Sequence, residues 1–208
     1  MATSVEIPQA PSLTPPTPPV RLTVALLGAL VEGGAFPGDY QAELVHGQVI
    51  VSPYVQARHS MIVRNLFRAL DAYATKHTLG EVFGDGTCFA LPHRDDTIRC
   101  PDVSFVADGR LPSTLVGNGW FAVAPDLAVE VRSPSERRRA VTEKLDDYLA
   151  AGTQVAWVVD PKRWGVEVHL RDRTTRWVGA DATLDGGPVL PDFRLPVADV
   201  FRNVARPE

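Results

Sequence analysis

One segment constrains the fold more than any other: Ala124 to Glu136, followed at once by a helical pattern and an apolar run. Leu127, Val129 and Val131 alternate with Asp126, Ala128, Glu130 and Arg132. That period of two predicts a strand with one apolar face and one charged face. Ser133, Pro134 and Glu136 then spell a helix start, with Ser133 as N-cap, Pro134 in the first helical position and Glu136 closing a capping box. Val141, Leu145, Tyr148 and Leu149 carry the helix on, and Gly152 is a natural stop. Val155 to Val159 is nearly continuous in apolar residues, which predicts a strand buried on both faces. A carboxylate near the end of a strand is therefore followed by a helix that carries a lysine, Lys144.

Lys144 stands three residues after Val141 and four before Tyr148, so it borders the apolar stripe. Glu143, Asp146 and Asp147 take angles expected to be more exposed. A lysine at the stripe's edge has two readings. Its stem can lie along the core with the ammonium in water, or it can reach into a cleft beside Glu130.

At 208 residues, with 45% hydrophobic and 22% charged, the chain is expected to form one soluble domain with a sizeable core. The net charge of −4 gives no bulk attraction to nucleic acid or acidic membrane, so such binding needs a local basic patch. Cys88 and Cys100 are too few for a disulfide framework and lack zinc-ligand spacing. The apolar run Val24 to Val31 is too short to span a bilayer and lacks a basic start, so the reading is cytoplasmic.

The other elements follow in order. Residues 1–20 are proline-rich and read as a disordered leader. Leu22 to Glu32 predicts a short helix, Gly38-Asp39 a turn, and His46-Gly47 a hairpin between two apolar runs. His59 to Thr78 predicts a long amphipathic helix ended by Gly80. Glu81–Phe83, Cys88–Leu91, Asp102–Val106, Val166–Leu170 and Thr175–Val178 read as strands, Asp185-Gly186-Gly187 as a turn, and Phe193 to Phe201 as cover for an edge. Trp157 reads as core. The order predicts an α/β protein, a mixed sheet flanked by helices.

Three Pro-Asp pairs offer carboxylates to accompany Glu130: Asp102, Asp126 and Asp192. Asp126 shares a strand face with Glu130, but four residues at about 3.3 Å each put it roughly 13 Å away. Asp192 sits in a proline-bounded tail and reads as structural. Asp102 opens one strand and Glu130 lies near the end of the next, so antiparallel pairing would bring the two side by side.

The set Asp102, Glu130 and Lys144 resembles the active site of the PD-(D/E)xK nuclease superfamily. More narrowly, the chain resembles the Uma-type family of restriction-endonuclease-like proteins. The resemblance rests on Glu43-Leu44-Val45-His46-Gly47-Gln48-Val49, His59, Arg99 to Val106, Ala124 to Ser135, Lys144 with Tyr148, and Ala156 to Pro161. Each motif is weak alone, and their order is specific. The superfamily usually carries its lysine two residues after the strand carboxylate, where this chain has Arg132. The Uma-type family supplies it from the following helix, which matches Lys144.

The resemblance implies a restriction-endonuclease-like core and phosphodiester hydrolysis, with Asp102 and Glu130 holding Mg2+ or Mn2+ and Lys144 beside the reacting phosphate. It also implies a homodimer and a nucleic-acid partner, DNA first. Glu43 and His59 are accessory candidates; their plain readings are a strand-edge charge and a polar residue at a helix end. Arg132 cannot act as a base at neutral pH and is read as gripping phosphate or pairing with Glu130. Arg137, Arg138 and Arg139 oppose the helix dipole, and are read either as phosphate contacts or as a solvated face. A second function class stays open: a non-cleaving nucleic-acid- or protein-binding module on the same fold.

Overall fold

A computed structural model describes residues 21–33, 41–52, 57–117, 119–133 and 136–205. The expected leader at 1–20, the turn at Gly38-Asp39, and Pro134 at the expected helix start lie outside the described residues. The first half contains α1 (Val24–Glu32), β1 (Gln41–Val45), β2 (Gln48–Ser52), α2 (Ala57–His77), β3 (Gly80–Phe83), β4 (Phe89–Ala90), β5 (Ile98–Arg99) and β6 (Val103–Ala107). The second half contains β7 (Leu127–Val131), α3 (Arg138–Ala151), β8 (Val155–Asp160), β9 (Gly165–Leu170), β10 (Thr175–Gly179), β11 (Thr183–Gly186), β12 (Leu190–Pro196) and α4 (Val197–Val200).

A six-stranded sheet in the order β10-β9-β8-β7-β6-β3 forms the centre. Its pairs are antiparallel except β7 with β8, which run parallel because α3 carries the chain back between them. One face carries Val103, Phe105, Leu127, Val129, Val155 and Trp157, packed against Ile62, Leu66 and Leu70 of α2. Trp157 is fully buried and stacks on Phe193, so it is core as its apolar strand predicts. On the other face, Val141 and Leu145 of α3 pack against Ala156 and Val158, and Tyr148 packs with Ala128. No helix among the described residues is long and apolar enough to cross a membrane.

Several local expectations are corrected. The strands do not share one sheet: β2-β1-β5-β4 form a second sheet and β11-β12 a two-stranded ribbon. The segment from Phe193 onward packs into the core instead of only covering an edge. Helix α3 starts at Arg138 with Arg137 as N-cap and no side-chain cap bond. Ser133 does not cap it, because the helix begins five residues further on; Glu136 lies before the helix, its carboxylate 3.6 Å from Lys144 and its N–H donating to the Ser133 carbonyl. The predicted stop holds, with Gly152 left-handed at φ 111°. Gly80 does not end α2 but opens β3 at φ 146°, where a Cβ would lie 2.1 Å from the Val106 carbonyl oxygen. Cys88 and Cys100 form a disulfide, brought together by the antiparallel pairing of β4 with β5.

Candidate active site

The antiparallel register of β6 and β7 pairs Val103 with Val129, which sets Asp102 one step further on, beside Glu130. The Asp102 N–H donates to the Val129 carbonyl at 3.0 Å, and its Oδ2 accepts from the Val131 N–H at 2.6 Å. This carboxylate therefore extends the ladder and is held by it. Asp102 Oδ2 also meets His59 Nε2, near the start of α2, at 3.2 Å. Burial alone would lower the His59 pKa, but the bond to Asp102 and the charges of Asp102, Asp85 and Glu130 outweigh it, so the pKa rises above 6.5. Nδ1 of His59 is buried without a hydrogen-bond partner among the described residues.

Glu130 lies on the face covered by α3. Lys144 Nζ donates to its Oε2 at 2.8 Å and the Tyr148 hydroxyl to its Oε1 at 2.8 Å. The residues are four apart on α3, one turn of helix, so both reach the same carboxylate. Of the two sequence readings, the structure shows the ammonium of Lys144 turned to Glu130 and not simply out into water. Burial pushes Glu130 up to about 7 against the pull of Lys144, and the charges of Asp102 and Glu43 push the same way. Burial opposes the Lys144 ammonium, but Glu130, Glu43 and Glu136 overcome it and its pKa is raised. Burial, with the charges of Glu130 and Glu43, holds Tyr148 as a neutral phenol, its pKa well above 10.

A second buried network stands behind this one. Arg99 donates from Nε and Nη2 to Asp147 Oδ2 at 2.9 and 2.6 Å, and from Nη1 to Glu43 Oε2 at 3.2 Å. Glu43 Oε1 accepts from the Cys100 N–H at 3.0 Å, and Asp147 Oδ1 meets His46 Nε2 at 3.0 Å. Asp147 is buried, against its expected exposure, because Arg99 lies across it. The sequence reading missed Arg99 and Asp147 as partners; the one available signal was that Asp147 adjoins the stripe residue Tyr148. Glu43 is no surface charge but a buried group within electrostatic reach of Glu130 and Lys144.

The other candidates lie apart. Asp126 accepts from the Ala107 N–H at 2.8 Å and pairs with Arg110, a structural role at the far end of β7. Arg132 pairs with Asp160 at 3.0 Å and not with Glu130, because the parallel register that sets Val131 opposite Val159 brings Arg132 beside Asp160 at the next step. Arg139 forms an exposed pair with Glu143 at 2.9 Å, and Arg137 and Arg138 are exposed at the start of α3. Asp192 stands exposed in β12, away from these groups.

Two carboxylates with no soft donor suit a hard divalent cation that keeps water or substrate oxygens for its other ligands. No group of three or more His, Cys, Asp or Glu at metal-holding spacing occurs among the described residues; the strand register brings one pair of carboxyl residues, Asp102 and Glu130, side by side. Burial is the main cause of the raised Glu130 pKa, with the charges of Asp102 and Glu43 adding to it, and a bound cation would favour the ionised carboxylate. On the donor chemistry, the residues fit the group.

No curated protein matches the chain. A crystal structure of a "putative nuclease belonging to DUF820" from Anabaena variabilis resembles it with a TM-score of 0.72 at 23% identity, covering 87% of this chain and 98% of that one. That likeness concerns the fold. The model of the Uma2 family, described as "Putative restriction endonuclease", matches residues 30–198. Spanning both sheets and all three groups at the candidate site, that match carries the assignment: the chain belongs to the Uma2 family.

Proposed function

We propose that this protein is a divalent-metal-dependent endonuclease that hydrolyses phosphodiester bonds of nucleic acid, with DNA as the first substrate to test. Residues 21–208 would act as one nuclease-like domain, in a cytoplasmic homodimer. The observation that carries the reading is the meeting of Lys144 with Glu130 at 2.8 Å where the strand register sets Asp102 alongside.

Asp102 and Glu130 would hold Mg2+ or Mn2+, which when bound polarises a phosphoryl oxygen and lowers the pKa of water. The protein's own groups do the rest. The Val131 N–H and His59 fix Asp102, and Tyr148 fixes the Glu130 carboxylate. Lys144 stays protonated because its pKa is raised, so it serves as a charge and a hydrogen-bond donor to the phosphate or the attacking water, not as a base. His59 supplies a titratable group beside Asp102 for moving a proton. Glu43 adds negative potential at the site, and the exposed Arg137, Arg138 and Arg139 at the start of α3 would contact the phosphate backbone outside the carboxylate group.

The test combines cleavage and metal binding. Asp102→Asn, Glu130→Gln and Lys144→Met should each lose cleavage of single-stranded, duplex or branched DNA and RNA in Mg2+ or Mn2+. Calorimetric titration with Mn2+ should show weakened binding for the first two. Parental Mn2+ binding by both would remove the metal site and the mechanism. Mn2+ binding by the parent with no cleavage of any substrate would favour the binding-module class instead.

A further inference from the structure

The carboxyl ends of β7 and β8 lie side by side because the two strands are parallel. From that end project Arg132 and the β8–β9 turn, which carries exposed Lys162 and Arg163. Asp160 organises the turn. Its Oδ2 takes Arg132 at 3.0 Å, and its Oδ1 accepts the N–H groups of Lys162 at 2.9 Å and Arg163 at 3.0 Å. With Asp160 occupied, neither Lys162 nor Arg163 has an ion-pair partner among the described residues.

Arg163 is nevertheless held in place. Its guanidinium carbon lies 3.9 Å from the ring centroid of Trp177, which is 38% exposed. The indole in turn lies over Gly165, where a Cβ would come within 2.2 Å of the ring. A flat cation stacked on an indole loses little of its donor capacity, since its N–H groups point outward in the ring plane. An exposed tryptophan and a bare glycine thus fix an arginine that makes no ion pair among the described residues.

The register ties this platform to the candidate active site. Trp177 pairs with Glu167, Glu167 with Val158, and Val158 with Glu130. Residues directly opposite share a sheet face, so Trp177 and Glu130 lie in one row on one face, three strand spacings or about 14 Å apart. Along a duplex that distance corresponds to roughly four base-pair steps.

We propose that Lys162 and Arg163, with Trp177 as the platform behind Arg163, form a contact surface for the phosphodiester backbone of a nucleic acid whose reacting phosphate lies at Glu130. The proposal rests on the nuclease reading above and adds to it where the strand runs. It also meets the chain's acidic balance of −4, which requires that attraction to a polyanion be local.

The test is a salt titration of binding, by fluorescence anisotropy, of a labelled mixed-sequence duplex and the matching single strand in calcium buffer. The variants are Lys162→Ala/Arg163→Ala, Trp177→Ala, and as a control Arg171→Ala at the opposite end of the sheet. Matched melting temperatures first show that each is folded. The double variant should bind several-fold more weakly at low salt and lower the log–log salt slope by about 2 for the duplex. Trp177→Ala should lose part of the same slope, and Arg171→Ala should match the parent. A parental slope in the double variant, or an equal loss in Arg171→Ala, overturns the surface and leaves the carboxylate chemistry standing. Variant-sensitive binding by a parent that cleaves nothing keeps the surface and ends the nuclease reading. A parent that binds neither probe overturns both.

Discussion

Arg99 donates two hydrogen bonds to a single oxygen of Asp147, and through them β5 is tied to the helix that carries Lys144. Arg99 is 3% exposed and also holds Glu43, so its removal strands two buried carboxylates. Arg99→Met should destabilise the protein by about 3–5 kcal/mol in urea unfolding. Arg99→Lys keeps the charge but loses the fork and should fall between. Replacing Arg99 and Asp147 together by Met and Leu should cost less than Arg99→Met alone. A double variant at least as unstable as the single one would show that packing, and not the stranded charge, governs this site.

Lys144→Met keeps the aliphatic stem that crosses the edge of α3 and removes the ammonium. The variant should fold, bind Mn2+ and lose cleavage by about 100-fold or more, the scale of one lost electrostatic donor. Parental turnover in this variant would return Lys144 to a purely structural role.

The metal-free protein should lose stability as pH rises through neutrality. Glu130 has a pKa raised from 4.5 to about 7, so the folded state binds its proton more tightly than the unfolded chain does. The contribution is fully present below 4.5 and lost as pH rises through about 7. Its size is at most about 3 kcal/mol. His59, also raised, acts in the same direction. Melting temperatures in EDTA should therefore fall between about pH 5 and pH 8. Glu130→Gln should flatten most of that fall, and Mn2+ should raise the parental melting temperature more at the upper end. A melting temperature that rises with pH across this range would contradict the burial argument for Glu130.

The Cys88–Cys100 disulfide closes a short loop between paired strands, with a sequence separation of 12. Reduction, or Cys88→Ser with Cys100→Ser, should cost about 2–4 kcal/mol. Thermal melts with and without a reductant, alongside a thiol count, check this. Indistinguishable melts for the oxidised and reduced protein would show that the β4–β5 pairing stands without the bond.

The central elements were legible because their patterns are local. Leu127, Val129 and Val131 alternate, and Val155 to Val159 are uniformly apolar, so β7 and β8 declare themselves. Lys144 was located even though the start of α3 was misread, because Val141, Leu145 and Tyr148 alone set the helix face. The second sheet was not legible: β4 and β5 are two residues each, too short to show a period. Asp147 read as exposed because its partner lies 48 residues earlier in the chain. The Arg163–Trp177 stack likewise depends on strand register, which no local pattern contains.

That Lys144 comes from α3 and not from the strand of Glu130 has a consequence for how this chain tolerates change in length. A lysine on the carboxylate's own strand is positioned by covalent continuity. Here it is positioned by the seating of a helix, through Val141 and Leu145 against the sheet and Asp147 against Arg99. Residues added before Arg138 can be absorbed in the connection while the helix keeps its seat. A single residue inserted between Val141 and Lys144 would turn the rest of α3 by about 100°. The helix could then seat Val141 on the sheet, or Leu145 on the sheet with Lys144 on Glu130 and Asp147 on Arg99, but not both sets at once.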